Sequence, residues 1–267
     1  MDDVVVSYTG EVGVVRLNRP GRGNSVTPDV VTRLGEAVAE LGESGPARSI
    51  VLTGTGSVFC AGADVQEMHA VYTADGADGL MAYLADVWMP AVQRTVRALW
   101  AVPKPLVAAF NGAATAGGLD FGLTADARVA ANTARFGESY VHLGMVPVAG
   151  GAFLLPHLIG LRAATELLAT GRLIDAGSAL ALGLVTEVCS AEELPDRALD
   201  VAAQLAQGPA ATFARMKKTA RRAATAELDE TLRESHQANV DLIARGDVRA
   251  RIVAVMERYP RKQAVRT

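Results

Sequence analysis

The stretch Leu106–Asp120, LVAAFNGAATAGGLD, joins a short β-rich run to a glycine-rich turn and the start of a helix. Its first five residues are all apolar, which is typical of a strand that is buried on both faces. The Gly117-Gly118 pair lets backbone N–H groups approach a ligand without obstruction by side chains, and a helix that begins there points its positive dipole end outward. This order of elements favours an α/β layer structure with parallel strands.

A second turn of small residues follows another predicted strand. Ser49–Thr53, SIVLT, predicts the strand, and Phe59–Asp64, FCAGAD, forms the turn shortly after it. Two converging backbone amides, one from each turn, would form an oxyanion hole, in which each donor contributes about 3–4 kcal/mol to stabilising a transition state. Either turn alone is better explained as a tight packing turn. The presence of both turns is therefore what indicates a catalytic site.

The rest of the chain divides into an alternating part and a helical part. Further strands are predicted at Val12–Asn18, Ala127–Ala131 and Val185–Cys189. Thr27 followed by Pro28 predicts the first turn of a helix. Four helices are predicted near 191–207, 210–223, 227–245 and 247–258. We therefore predict a core over residues 1–190 and a helical region over residues 191–267.

Composition and charge exclude several classes of function. The 267 residues are 50% hydrophobic and 21% charged, with a formal net charge of −3, so we expect no nucleic-acid partner. The first residues, MDDVVVSYTGEVGVV, lack a basic segment before an apolar one, and no run of 18 apolar residues occurs, so we expect neither a signal peptide nor membrane association. Cys60, Cys189 and the four histidines show no metal-ligand spacing. A cytoplasmic protein without a metal site is the expectation.

One dense basic cluster lies in the helical part. Lys217, Lys218, Arg221 and Arg222 alternate in pairs along one predicted helix. The cluster is either a solvated helix face or a contact for the phosphates of a ligand, and the sequence leaves both interpretations open.

Four stretches taken together resemble the enoyl-CoA hydratase/isomerase (crotonase) superfamily. They cover 12–31 (VGVVRLNRPGRGNSVTPDVV), 50–68 (IVLTGTGSVFCAGADVQEM), 105–147 and 167–185 (LLATGRLIDAGSALALGLV), in the family's order. The resemblance implies the crotonase (ClpP-like) spiral of ββα units, with a C-terminal helical region that mediates assembly into a homotrimer or a dimer of trimers. It also implies an acyl-CoA substrate, with coenzyme A entering as part of the thioester and no permanently bound cofactor.

The resemblance also assigns residues by position. It implies that the amides of Ala63 and Gly117 hold the thioester oxygen of an enolate. It further implies that the nucleotide and pantetheine of CoA are bound by five residues: Arg22, Asn24, Ser25, Ala61 and Asp64.

The sequence departs from hydratases of this family at both catalytic glutamates. One position holds Asp120, which is shorter by a methylene, and the other holds Tyr140, so one carboxylate is lost. Asp120 is the predicted acid/base, with a helix-capping role as its alternative. Apolar neighbours would raise its pKa and a helix N-terminus would lower it, and the sequence does not say which effect is larger. An aspartate that some relatives carry eight residues later is Val148 here.

Glu138 is the second candidate for a catalytic carboxylate. Glu138, Tyr140 and His142 share one face if the segment is extended and do not if it is helical. Tyr140 is predicted to shape the pocket or donate a hydrogen bond within it. His142 is predicted to be a partly exposed histidine rather than a base.

A single carboxylate suits double-bond isomerisation, or an atypical hydration with Asp120 as acid/base, better than ordinary hydration by two groups. The alternatives are a non-catalytic acyl-thioester-binding protein and a crotonase of polyketide or secondary metabolism that acts on a carrier-protein-bound acyl group. Hydrolysis by Ser139 and His142 would require a nucleophile elbow, and the sequence contains none.

Overall fold

The computed structural model describes residues 2–263. The strands are β1 (Val4–Thr9), β2 (Val12–Leu17), β3 (Ser49–Gly54), β4 (Val58–Cys60), β5 (Leu106–Phe110), β6 (Ala113–Thr115), β7 (Ala127–Ala131), β8 (Arg135–Gly137), β9 (Ile174–Asp175) and β10 (Glu187–Cys189). The helices are α1 (Pro28–Glu43), α2 (Val65–Tyr83), α3 (Met89–Ala101), α4 (Gly117–Leu123), α5 (Gly151–Thr170), α6 (Ala176–Leu182), α7 (Leu194–Leu205), α8 (Ala210–Arg245) and α9 (Asp247–Gln263). Shorter helical turns are two 3₁₀ turns at Pro20–Arg22 and Ser139–Leu143 and one π-helical turn at Leu84–Trp88.

The strands form two sheets, and the chain moves from one sheet to the other in a repeating order. The large sheet has the order β1-β2-β3-β5-β7-β10 and is parallel except for β1, while the small sheet has the order β4-β6-β8-β9. Each of β3, β5 and β7 in the large sheet is followed by a strand of the small sheet and then by helix. This repeated ββα unit confirms the predicted crotonase spiral.

The central strands are apolar throughout because both faces of the large sheet are covered. Along β5, Leu106, Ala108 and Phe110 face the main core, whereas Val107 and Ala109 face a second cluster beneath α7. The alternation follows from the period of two in a strand, and both faces of parallel sheets are usually buried. Helix α7 therefore packs against the sheet. It lies beyond residue 190, where we predict that the core ends and the helical region begins, and that boundary stays a prediction.

Most predicted elements agree with the structure, and the C-terminal helices show the main difference. Helix α1 begins at Pro28 as predicted, and Thr27 Oγ1 accepts a hydrogen bond from the N–H of Val30 at 3.2 Å. The predicted interruption between residues 223 and 227 is wrong, because α8 runs without a break from 210 to 245. Residues 223–226 are alanine and threonine without glycine or proline, so nothing in them ends a helix.

Helix α5 is the one helix among residues 2–263 that is long and apolar enough to cross a membrane by length and composition alone. It bends at Gly160, where φ is +76°, and Phe153, Leu154 and Leu155 in its first half are buried in the core. Its apolar composition is explained in part by this packing, so length and composition are weak evidence that α5 spans a membrane.

The predicted basic cluster is split between the interior and the surface. Lys217 Nζ lies 2.6 Å from Asp126 Oδ2, and Arg221 Nη2 lies 2.7 Å from Asp126 Oδ1. Lys218 and Arg222 are exposed. Asp126 directly precedes β7, so the cluster lies at the amino ends of the parallel strands, opposite the edge where the two small-residue turns begin. Lys217 and Arg221 thus form an internal ion-pair network with Asp126. Neither a solvated helix face nor a contact for ligand phosphates predicts this network.

Replacing Asp126 by Asn is expected to lower the free energy of unfolding by about 3 kcal/mol, because two largely buried cations would lose the one carboxylate that pairs with them among residues 2–263. Urea unfolding measures the change. The matched control is Asp200→Asn, which removes an exposed ion pair to Arg197 at 3.3 Å and is expected to cost less than about 1 kcal/mol. Equal effects of the two substitutions would contradict the prediction.

Candidate active site

The two small-residue turns lie against each other because the strands before them are neighbours. β4 and β6 pair in parallel, so the turns after them emerge at the same edge of the small sheet. A Cβ added to Gly62 would lie 3.2 Å from Thr115 O and 3.7 Å from the amide nitrogen of Gly117. The structure thus brings together the two turns that the sequence singled out.

The amide of Gly117 is held in place by a strained residue before it. Ala116 has a φ of +48°, one of two such values among non-glycine residues in the described chain. A left-handed alanine costs of order 1–3 kcal/mol and persists only where the surroundings enforce it. The peptide N–H of Ala116 donates to Gly137 O at 2.9 Å, which fixes it to β8. Gly117 is the first residue of α4, so its N–H has no partner within the helix.

The amide of Ala63 is left free by the bridge that holds its neighbours. Val26 donates to Gly62 O at 2.8 Å, and Asp64 donates to Val26 O at 3.0 Å. These bonds use the residues on either side of Ala63, and its own N–H has no partner among the described residues. Two unpaired amides at adjoining turns meet the chemical requirement of an oxyanion hole.

Both turns border a cavity of about 230 Å³, here called the inner pocket. Its lining residues are Ala61, Ala63, Val65, Met68, Leu84, Trp88, Ala116, Gly117, Ser139, Tyr140, His142, Leu143 and Met145. The wall is mainly apolar, with the two turns at one side, so it suits a small apolar group attached to a polarised carbonyl.

Asp120, Glu138 and Tyr140 meet at a fully buried point beside the inner pocket. Tyr140 Oη donates to Asp120 Oδ2 at 3.2 Å. A Cβ added to Gly151 would lie 2.4 Å from Asp120 Oδ1 and 2.9 Å from Glu138 Oε1, so the two carboxyl groups face each other across this glycine. Both oxygens of Glu138, and Oδ1 of Asp120, are buried and make no hydrogen bond of normal geometry with the described residues. A proton held between the two carboxyl groups would satisfy Asp120 Oδ1 and one oxygen of Glu138.

Burial sets the protonation of this pair. Desolvation raises the pKa of Asp120 to about 7, while hydrogen bonds from Glu138, Tyr140 and the backbone of Gly151 act in the opposite direction. Desolvation also raises the pKa of Glu138 well above its usual value, and the negative charge of Asp120 adds to this rise. Both carboxyl groups therefore hold a proton more tightly than an exposed acid does, and Asp120 titrates near neutral pH.

A larger cleft opens next to the inner pocket. It has a volume of about 820 Å³, and Arg22, Ser25, Ala61 and Asp64 are among its lining residues. Helix α9 contributes Arg251 and Arg258 to the same cleft. The inner pocket and this outer cleft share Ala61, Ala63, Val65 and His142, so they form one continuous site.

Comparison with known proteins gives the family of this chain. A sequence model of the family described as "Enoyl-CoA hydratase/isomerase" matches residues 8–263. The protein belongs to the enoyl-CoA hydratase/isomerase family. This chain is 29% identical to the short-chain-enoyl-CoA hydratase of Clostridium acetobutylicum over 97% of its length and 96% of that protein. It is 33% identical to the probable enoyl-CoA hydratase echA8 of Mycobacterium tuberculosis, with 86% of each chain covered.

Solved structures agree with this assignment. The enoyl-CoA hydratase from Bacillus halodurans is similar with a TM-score of 0.85 and 26% identity, covering 95% of this chain and 100% of that one. The enoyl-CoA hydratase from Mycobacterium avium subsp. paratuberculosis is similar with a TM-score of 0.82 and 27% identity, covering 95% and 98%. The crotonase fold and the family resemblance are both confirmed, and with them an enzyme of the acyl-CoA class.

The catalytic candidates of this hydratase/isomerase lie together, but only one of them reaches the inner pocket. Tyr140 lines the pocket, whereas Asp120 and Glu138 lie behind it. The segment after Glu138 is a 3₁₀ turn, so Tyr140 points inward while His142 is exposed at the junction with the outer cleft. No hydrogen bond joins Ser139 to His142 among the described residues, so a Ser/His hydrolytic pair is not formed.

The residues assigned to coenzyme A divide into two groups. Arg22, Ser25, Ala61 and Asp64 line the outer cleft, whereas Asn24 does not. Asn24 lies beneath it, and its side chain donates to Thr55 O and Val58 O, which holds the loop in shape. Asp64 is buried, pairs with Arg19 at 2.8 Å and Arg22 at 3.3 Å, and accepts a hydrogen bond from the N–H of Gln66 at the start of α2.

Sequence reasoning missed the site residues contributed by α9. Arg251, Ala254, Val255 and Arg258 recur at helical spacing, and all four line the outer cleft. This spacing was available in the sequence, but a basic and apolar stripe on a C-terminal helix is also common on ordinary surfaces. Only the fold shows that this stripe faces the cleft.

Proposed function

We propose that this enzyme moves a double bond along a short acyl-CoA thioester through an enolate held by the amides of Ala63 and Gly117. The observation that carries the proposal is the hydrogen bond from Tyr140 Oη to the Asp120 carboxylate, because Tyr140 lines the inner pocket and Asp120 titrates near neutral pH. Coenzyme A would occupy the outer cleft, with Arg22, Arg251 and Arg258 available for its phosphates.

Tyr140 and Asp120 would act as one proton-carrying unit. As Tyr140 Oη takes the proton from C2 of a 3-enoyl thioester, it passes its own proton to Asp120, so no free phenolate forms. Burial raises the pKa of Tyr140 well above its usual value, which makes a free phenolate costly. The C2 electron pair becomes a dienolate whose oxygen is stabilised by the two amides. The reverse transfer delivers a proton to C4 and gives the 2-enoyl product.

Isomerisation fits the site better than ordinary hydration. Hydration needs one group to activate water and a second to manage the proton at the α-carbon. Here Asp120 and Glu138 both lie behind Tyr140, so the buried trio presents a single hydroxyl to the pocket. An atypical hydration with Asp120 as acid/base is the second candidate.

The non-catalytic alternative rests on a specific observation as well. Asp120 and Glu138 are 0% and 1% exposed, so a bound thioester would meet neither directly. A binding protein would hold acyl-CoA without exchanging its C2 hydrogens. The same chemistry on an acyl group bound to a carrier protein, rather than to coenzyme A, is a further alternative.

Incubation with 2-enoyl, 3-enoyl and dienoyl CoA thioesters in heavy water tests the proposal. Mass spectrometry is expected to show interconversion of 2-enoyl and 3-enoyl isomers with no gain of water and with less than one deuterium incorporated per turnover, because the hydroxyl that takes the proton from C2 also delivers it to C4. A gain of water would favour hydration, and binding without interconversion of the isomers would favour the binding protein. Repeating the assay with the same acyl groups on a carrier protein identifies the delivering group.

The pH dependence of turnover is expected to show an acid limb near pH 7, because Asp120 must be ionised to accept a proton and its pKa is raised to about 7. Replacing Glu138 by Leu removes a donor that lowers the pKa of Asp120, so the limb is expected to move to higher pH. Glu138→Gln keeps a donor and is expected to leave the limb in place. A pH profile of kcat for the three proteins measures the shift, and identical profiles would count against the pairing.

Assembly and location are proposals drawn from the family resemblance. We propose a homotrimer or a dimer of trimers built through the C-terminal helical region, in the cytoplasm. Light scattering of the purified protein measures the assembly.

A further inference from the structure

The basic cluster of α8 has an exposed half that the proposed reaction does not use. Arg215, Lys218 and Arg222 line a cleft of about 790 Å³ between the first half of α8 and the end of α3, here called the basic cleft. All three residues are exposed, so a dissolved ligand can reach them. Lys217 and Arg221, which pair with Asp126, line the same cleft.

The exposed cations of the basic cleft have no negative partner. No aspartate or glutamate lines this cleft among residues 2–263. The side chains of Arg215, Lys218 and Arg222 form no ion pair or hydrogen bond within the described chain, whereas the exposed Arg172 Nη2 lies 2.8 Å from Glu166 Oε1. Acidic residues outnumber basic ones by 29 to 26 in the whole chain, so composition alone does not explain a cleft without acids.

Asp126 does not neutralise the exposed cations, because both of its oxygens are already paired. Lys217 Nζ lies 2.6 Å from Oδ2 and Arg221 Nη2 lies 2.7 Å from Oδ1. The N–H of Leu106 also donates to Oδ2 at 2.9 Å. The two inner cations thus outnumber this one carboxylate. The basic cleft therefore has a positive potential, which favours an anionic ligand.

The spacing of the exposed cations suits an anion with several charges. Positions 215, 218 and 222 share one face of α8 and span about 10 Å along it, at about 1.5 Å per residue. A single carboxylate is too short to pair with the whole row, whereas a chain of phosphates extends along it. Guanidinium groups match the geometry of phosphate oxygens. The wall at the end of α3 is apolar and includes Val102 and Pro103.

We propose that the basic cleft binds a small molecule that carries a chain of two or more phosphates, such as a nucleoside polyphosphate or an inorganic polyphosphate. The volume of the cleft lies within the range of small-molecule sites, about 300–1,000 Å³. Pro103 precedes β5 and Asp126 precedes β7, so the basic cleft lies at the opposite edge of the sheet from the two small-residue turns. The proposal goes beyond the proposed function and does not depend on it.

The fluorescence of Trp100 tests the proposal, because Trp100 lines the basic cleft. The chain has two tryptophans, so Trp88→Phe leaves Trp100 as the single one. In buffer without magnesium, tripolyphosphate and ATP are each expected to change its emission in a saturable way. Half-saturation is expected at a concentration at least about tenfold lower than for inorganic phosphate, which carries fewer charges. Adenosine, which has no phosphate, is expected to cause no change.

Replacing Arg215, Lys218 and Arg222 together by Gln in this protein is expected to weaken tripolyphosphate binding by about 10- to 100-fold. Each exposed charge contributes about 2- to 5-fold, and none of the three belongs to the network around Asp126. Circular dichroism checks that the variant is folded.

The matched control replaces three arginines of the outer cleft by Gln, which gives the same change in net charge. They are Arg22, Arg251 and Arg258. At an ionic strength of about 0.15 M, distant charges are screened, so this control is expected to keep its Trp100 response to tripolyphosphate within about twofold. Calorimetry of the same control with Trp88 retained is expected to give one bound tripolyphosphate per chain, and this readout does not depend on Trp88→Phe.

The outcomes are distinct from those of the isomerase assay. No saturable response to tripolyphosphate or ATP, or equal affinities in the two triple variants, would overturn the proposal even if double bonds are isomerised. A response lost only in the outer-cleft control would overturn it as well. Tighter binding of ATP than of tripolyphosphate would support the site and identify a nucleotide as its ligand, whereas equal affinities would support recognition of the phosphate chain alone.

Discussion

Replacing Asp120 by Asn is expected to lower kcat on the isomerised thioester by about 10²–10⁴-fold and to leave the affinity for saturated acyl-CoA within about twofold. An Asn side chain can still accept the hydrogen bond of Tyr140 Oη, but it cannot take up the proton that Tyr140 would pass on. Steady-state kinetics on the 3-enoyl thioester measures the loss. Full turnover by the variant would remove Asp120 from the mechanism.

A stability measurement distinguishes this loss from misfolding. Burial raises the pKa of Asp120 in the folded protein to about 7, so the folded chain holds this proton more tightly than the unfolded chain. The stabilisation from this proton is present at low pH and is lost as the pH rises through about 7. Because Asn does not ionise, Asp120→Asn is expected to raise the melting temperature relative to the wild type more at pH 8 than at pH 5. The opposite pH trend would argue that the variant is damaged rather than inactive.

Replacing Gly117 by Pro is expected to lower kcat by about 10²–10³-fold, because proline lacks the N–H that would hold the enolate oxygen. Gly117 is the first residue of α4, a position at which proline is well tolerated in helices. The matched control is Gly117→Ala, which keeps the N–H and adds only a Cβ. That Cβ would lie 3.2 Å from Tyr140 Oη, so a loss of less than about tenfold is expected.

Circular dichroism and the dissociation constant for coenzyme A should show that both Gly117 variants are folded. A proline variant no slower than the alanine variant would exclude the Gly117 amide as an oxyanion donor. The alanine variant measures the effect of an added Cβ at the same position, and the affinity for coenzyme A reports any distortion caused by the remaining ring atoms of proline.

The fold could be predicted from the sequence wherever both faces of a strand are buried. β5 and β7 were predicted with the ends that the structure shows. β5 is an uninterrupted apolar run bounded by turns, and β7 is a weaker run that Arg128 interrupts. The three-residue strands β4, β6 and β8 were not predicted, since so short a segment carries no periodicity. These short strands form most of the small sheet, and they place the two turns side by side.

The site was predictable as a set of residues but not as an arrangement. The sequence pointed to Ala63, Gly117 and Asp120, and the structure places the first two on the inner pocket and the third behind Tyr140. The contact between Glu138 and Asp120 depends on whether the chain after Glu138 is extended or helical. Sequence alone could not decide this, because the turn is fixed by tertiary packing.

Gly151 links the two carboxyl groups in a way that constrains how this protein can change. A methyl group there would come within 2.4 Å of Asp120 and 2.9 Å of Glu138, so even alanine requires one of the acids to move or shorten. Substitutions at these three positions are therefore expected to be strongly non-additive. Evolution of a different catalytic site by single substitutions would therefore have to replace Asp120 or Glu138 before Gly151. The order of the mutational steps is restricted.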